Sequence, residues 1–99
     1  MSAVRRDKTT IIYEMLLSVI NKGGAIKPTH MLYKSNLSYK RMLPLVDELS
    51  DKGLIRQEVD GKKKTYFITD EGRQFVFEFQ KMKNFLDSFG FWILYIYSY

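Results

Sequence analysis

The sequence has no cysteine, one histidine, one tryptophan and two prolines. Without cysteine there is no disulfide framework, no thiolate metal site and no cysteine nucleophile. That composition is compatible with a reducing compartment without requiring one. A lone His30 cannot build a histidine-rich metal site within one chain. Long apolar runs are also missing. The uncharged stretch from Ser88 to Tyr99 covers twelve residues, against ~20 for a membrane helix. Met1 to Thr10 carries Arg5, Arg6, Asp7 and Lys8, Glu14 interrupts the apolar residues that follow, and no small-residue cleavage site comes after them. No targeting segment is therefore read, and a soluble protein without membrane contact is expected. There is no Gly-rich phosphate loop and no converging nucleophile and base. The expectation is a non-enzymatic protein with no cofactor and no small-molecule substrate.

What is present fits one folded domain. The chain has 99 residues, 45% hydrophobic and 27% charged, which is the scale of a single core. Lys and Arg number 16 and Asp and Glu 11, for a net charge of +5. Residues 1–70 hold 13 of the basic and 8 of the acidic side chains, and residues 71–99 hold three of each. All the excess positive charge therefore lies in the first two thirds. Aromatics are skewed the other way, with Phe75, Phe77, Phe79, Phe85, Phe89, Phe91, Trp92, Tyr95, Tyr97 and Tyr99 in the last third. Two roles follow: a basic surface for an anionic partner, and an apolar tail for self-association.

Ile11, Ile12, Met15, Leu16, Val19 and Ile20 repeat at helical spacing, which predicts a helix from Lys8 to Asn21. Asn21-Lys22-Gly23-Gly24 ends it, and Ala25-Ile26-Lys27 suits a very short strand. Pro28 and Thr29 open a short helix to about Lys34, with Thr29 as its cap. After the Ser35-Asn36 turn, Ser38 caps a third helix to about Lys52, burying Met42, Leu45, Val46 and Leu49. Strands are expected over Ile55 to Asp60 and Lys64 to Ile68, around the turn Asp60-Gly61-Lys62-Lys63. Thr69 caps a long last helix, with Asp70 and Glu71 at its positive end.

Two short helices joined by a tight turn and followed by a hairpin form a winged helix-turn-helix arrangement. The run Thr29-His30-Met31-Leu32-Tyr33-Lys34-Ser35-Asn36-Leu37-Ser38-Tyr39-Lys40 resembles the small archaeal winged-helix DNA-binding proteins, which include dimeric chromatin-associated proteins of Sulfolobus. Leu49, Lys52-Gly53-Leu54-Ile55, Tyr66, Ile68-Thr69 and Glu71-Gly72 extend the resemblance over roughly residues 4–82. It implies a winged helix on duplex DNA and a last helix that dimerises as an antiparallel coiled coil. The sequence departs from the family at His30, usually a basic position, and at Pro44, inside the third helix. An internal proline removes one backbone bond, which is expected to kink the helix or make its first turn irregular.

The expected fold is mainly α (α+β): a winged helix-turn-helix over 1–69, then a C-terminal coiled-coil helix over 70–99 for dimerisation. Candidate DNA contacts are Ser38, Tyr39, Lys40 and Arg41 at the start of the third helix, whose first residues are offered to base edges. Lys62, Lys63 and Lys64 at the hairpin tip suit phosphates. Arg5, Arg6 and Lys8 form a candidate basic arm, Thr29 is added from the second helix, and Lys27, Lys34 and Arg56 are weaker candidates. Each of these is otherwise an ordinary solvated side chain. Phe75, Phe79, Met82, Leu86, Phe89, Ile93 and Ile96 are spaced 4, 3, 4, 3, 4, 3 and form a candidate dimer seam. A helix from Asp70 to Tyr99 would reach ~45 Å, longer than the domain before it. The partners expected are double-stranded DNA and a second copy of the chain, in a cytoplasmic, nucleoid-associated setting. A protein-interaction adaptor using the winged helix and the aromatic C-terminal helix is the alternative.

Overall fold

Most helices begin where a polar side chain replaces a missing backbone partner. The computed structural model describes residues 7–90. Helix α1 (Lys8–Asn21) starts on Asp7, whose carboxylate accepts from the Thr10 amide at 2.8 Å. It ends at Gly23 and Gly24, with φ of +90° and +100°, a region that suits glycine. Strand β1 (Ala25–Ile26) follows, then α2 (Pro28–Ser35), α3 (Tyr39–Asp51), β2 (Ile55–Asp60), β3 (Lys63–Ile68) and α4 (Asp70–Ser88). Ser38 caps α3, its hydroxyl accepting from the Arg41 amide at 3.2 Å. Thr69 caps α4, accepting from the Gly72 amide and donating to the Gly53 carbonyl. These are the elements expected from the sequence.

The strands form one antiparallel sheet in the order β1-β3-β2. Tyr66, on the central strand, stands opposite both Ile26 and Gln57. The core lies between this sheet and the helices. Met15, Leu16, Val19, Met31, Met42, Val46, Leu49 and Tyr66 are essentially sealed from solvent. Removing each large apolar side chain from water stabilises the fold by ~1.5–3 kcal/mol before the entropy of ordering is counted.

Four details differ from expectation. Helix α2 starts at Pro28, so Lys27 occupies the cap position and Thr29 lies inside the first turn. Proline fits there because its fixed φ and missing N–H cost nothing at the first helical position. Strand β3 begins one residue early, at Lys63, because Lys63 pairs with Asp60. Helix α3 continues through Pro44. Pro44 and Lys40 both face solvent, so water can satisfy the Lys40 carbonyl that loses its donor. Finally, α4 ends at Ser88, a reach of ~28 Å at 1.5 Å per residue. The remainder of the expected helix, 91–99, including Ile93 and Ile96, lies outside the described residues.

The first turns of α4 belong to the domain core. Val76 and Phe79 are buried, and Phe79 stacks on Tyr13 with ring centroids 4.4 Å apart. The Tyr13 hydroxyl donates to Gln80. Gly72 sits so close to the chain before β2 that a Cβ there would lie 2.2 Å from the Leu54 carbonyl oxygen.

Candidate nucleic-acid interface

The buried stripe of α3 fixes which of its side chains face outward. Met42, Val46 and Leu49 are buried, so Lys40, Arg41, Pro44 and Asp47 are left in solvent. The outward surface is divided by charge. Lys40 and Arg41 occupy the first turn, and neither has a carboxylate within 4 Å among the described residues. The acids lie toward the other end, and Asp47 and Glu48 have partners. Asp47 accepts from Gln57 at 3.2 Å. Glu48 is held by Lys8 at 2.9 Å and Lys52 at 3.2 Å. Hydrogen bonds from Lys8 and then Lys52 hold the Glu48 carboxyl below the usual carboxylate range. An approaching polyanion therefore meets a positive N-terminal turn and a far end that carries Asp47, Glu48 and Asp51, of which Glu48 is held by two lysines.

Beside that first turn lies a cleft of about 540 Å³ lined by Lys27, Pro28, Thr29, Tyr39, Lys62, Lys63 and Lys64. Three separate pieces of chain meet there: the start of α2, the first residue of α3, and the hairpin tip. Among the described residues, the cleft is lined by four lysines and no carboxylate. The Lys27 ammonium donates to the Thr65 hydroxyl at 3.1 Å, fixing the start of α2 against the wing. Tyr39, which lines the cleft, is 54% exposed. Beneath α3, burial pushes the Tyr66 phenol up to about 12, with smaller contributions from Tyr39 and Asp47. Tyr66 is therefore neutral at any working pH, and its hydroxyl has no hydrogen-bond partner among the described residues.

The structure gathers some candidate residues and separates others. Thr29, Tyr39, Lys62, Lys63 and Lys64 share the cleft, and Lys40 and Arg41 extend from it along α3. Lys27 joins them, although the sequence offered it only as a weak candidate; its sole signal was its place just before Pro28. Lys8 is ion-paired to Glu48, at the opposite end of α3 from Lys40. Lys34 lines a different cleft, between α1 and α2, with Glu14, Lys22 and His30. Arg56 is engaged with Glu58 at 2.8 Å and lies over the Phe67 ring. Arg5 and Arg6 lie outside the described residues. Along α4, Phe79 is committed to the core, Phe75 and Leu86 are half-buried against it, and Met82 and Phe89 are exposed.

This helix order, with a two-stranded wing against a helix-turn-helix, matches a family model described as winged helix-turn-helix over residues 5–87. The chain belongs to the winged helix-turn-helix family. An uncharacterized protein of Methanocaldococcus jannaschii is 37% identical over 70 residues, which is 71% of this chain and 30% of that protein. The winged helix-turn-helix chain thus spans less than a third of that relative's length. Among solved structures, the fold is similar to Sso10a-2, a DNA-binding protein from Sulfolobus solfataricus. That similarity has a TM-score of 0.71 at 22% identity and covers 84% of this chain and 87% of that one. The winged-helix DNA-binding protein F93 from STIV has a TM-score of 0.70 at 19% identity, covering 78% and 90%. The transcriptional regulator BldR from Sulfolobus solfataricus has 0.69 at 20%, covering 81% and 59%. At these identities the likeness is one of fold. No helix among the described residues is long and apolar enough to cross a membrane.

Proposed function

We propose that this protein binds double-stranded DNA as a homodimer, with the first turn of α3 in the major groove and the wing cleft on the adjacent phosphates. The carrying observation is the cleft of four lysines without a carboxylate, formed where α2, α3 and the wing meet. Such a surface neutralises phosphates, and their counterion release supplies most of the affinity. Base reading falls to the few side chains of the first turn of α3: Arg41 suits the O6 and N7 of guanine, Lys40 a guanine or a phosphate, and Ser38 and Tyr39 polar edges. So small a reading set favours modest specificity, in a transcriptional regulator or a nucleoid-associated protein in the cytoplasm. No catalytic role is assigned. The solved relatives described as DNA-binding support this reading. Self-association is assigned to α4, where Phe77, Met82, Phe85 and Phe89 are exposed. The same side chains favour the second reading, a protein-interaction adaptor.

Titration of a mixed-sequence duplex at several salt concentrations, followed by fluorescence anisotropy, tests the proposal. Affinity is expected to fall steeply with salt, with ~0.9 of log–log slope per phosphate contact. Absence of binding at low salt by folded protein overturns it in favour of the adaptor.

A further inference from the structure

Helix α2 has a cleft on each side. Thr29 lines the wing cleft, while His30 and Lys34, one turn apart, line a larger cleft of about 830 Å³ against α1. Helix α1 contributes Glu14, Leu17, Ser18 and Asn21, whose spacing of three and four residues puts them on one face. The turn out of α1 adds Lys22, and β1 adds Ile26. His30, where the sequence departs from the family it resembles, thus lines this cleft and not the wing cleft. The two clefts share no residue, so this one is separate from the surface assigned to DNA.

Its lining combines an apolar floor with an excess of positive charge. Ile26 is buried and Leu17 is half-buried against the core. The Ser18 hydroxyl is turned inward and donates to the Met15 carbonyl at 2.6 Å. Asn21, Lys22, His30 and Lys34 are exposed above that floor. Neither Lys22 nor Lys34 has a carboxylate within 4 Å among the described residues. Two lysines against Glu14 leave one positive charge in excess, His30 not counted. A cleft of this volume is ordinary for a small molecule, whose apolar body lies on the floor while a few polar groups fix its orientation. It is far larger than an inorganic anion needs. It is also concave, and Glu14 on its wall repels a polyanion, so a second stretch of DNA fits it poorly. One excess positive charge matches a ligand with one negative charge.

We propose that the α1–α2 cleft binds a small organic monoanion, its carboxylate held by Lys22 and Lys34 and its apolar body laid on Leu17 and Ile26. The assignment uses no residue of the wing cleft and does not depend on the DNA reading.

An NMR titration of the full chain with octanoate tests it, with octanol (the body without the charge) and inorganic phosphate (the charge without the body) in parallel. Octanoate is expected to give saturable shifts at millimolar concentration, centred on Leu17, Lys22, Ile26, His30 and Lys34, and each control to bind far more weakly. The double variant Lys22→Ala/Lys34→Ala is expected to bind octanoate about tenfold more weakly, the scale of two exposed charge contacts, with its circular dichroism unchanged. Lys52→Ala/Lys81→Ala removes the same charge elsewhere and is expected to keep the wild-type affinity. Shifts that do not saturate, or that centre on another surface, overturn the site. Equal loss in both double variants reduces the effect to general attraction and also overturns it. Octanol binding as tightly as octanoate overturns the anionic assignment, and phosphate doing so overturns the apolar body.

Discussion

Replacing Lys62, Lys63 and Lys64 together with alanine removes three of the four lysines around the wing cleft. None of the three contributes to the core, so folding is expected to change by less than ~0.5 kcal/mol per site. Each lost phosphate contact takes ~0.9 from the slope of log affinity against log salt, so the slope falls by ~2.7 per head. Between about 50 and 200 mM salt, the variant then loses ~40-fold less affinity per head than wild type. Fluorescence anisotropy on one duplex over that range reads the difference directly. Lys8→Ala is the matched control, because Lys8 is engaged by Glu48 at the other end of α3. It is expected to keep the wild-type slope. A triple variant with the wild-type slope, or a Lys8→Ala slope reduced by as much per charge, refutes the placement of DNA on the wing cleft.

Three further outcomes test the fold beneath the site. Gly72→Ala puts a methyl 2.2 Å from the Leu54 carbonyl oxygen; overpacking against backbone is expected to cost ~1–3 kcal/mol, and unchanged thermal unfolding refutes the close approach. Tyr66→Phe removes a buried hydroxyl without a partner among the described residues and is expected to leave stability unchanged or raise it by ~1 kcal/mol, with a clear loss in denaturant unfolding pointing to a hidden bond. The Glu48 carboxyl is held low by Lys8 first and Lys52 second, so the link is present above the ordinary carboxylate pKa and is lost as pH falls through the folded-state value. An NMR titration of Glu48 is expected to shift upward in Lys8→Ala, and an unchanged midpoint removes Lys8 as the cause.

Much of the fold was legible because the local signals agreed with one another. The α1 periodicity, the Ser38 and Thr69 caps, and the Asp60-Gly61 turn each depend on neighbours a few residues away, and each appears where the sequence put it. The start of α2 was less legible because Pro28 and Thr29 compete to open it. The wing and the first turn of α3 were legible as a basic pair of segments. That Lys27 shares their cleft was not, since only the pairing of β1 with β3 carries it there.

What the sequence by itself determined is therefore what short-range chemistry specifies: the order of elements, their caps and turns, and the location of the positive charge in the first two thirds of the chain. The tertiary structure decided which basic residues act together and which apolar residues remain free. Lys8 was diverted to Glu48, and Phe79 was taken into the core by Tyr13. Both outcomes depend on contacts between residues far apart in sequence. A heptad count cannot see them, because it records which side chains share a helix face and not which part of that face the domain's own core already covers.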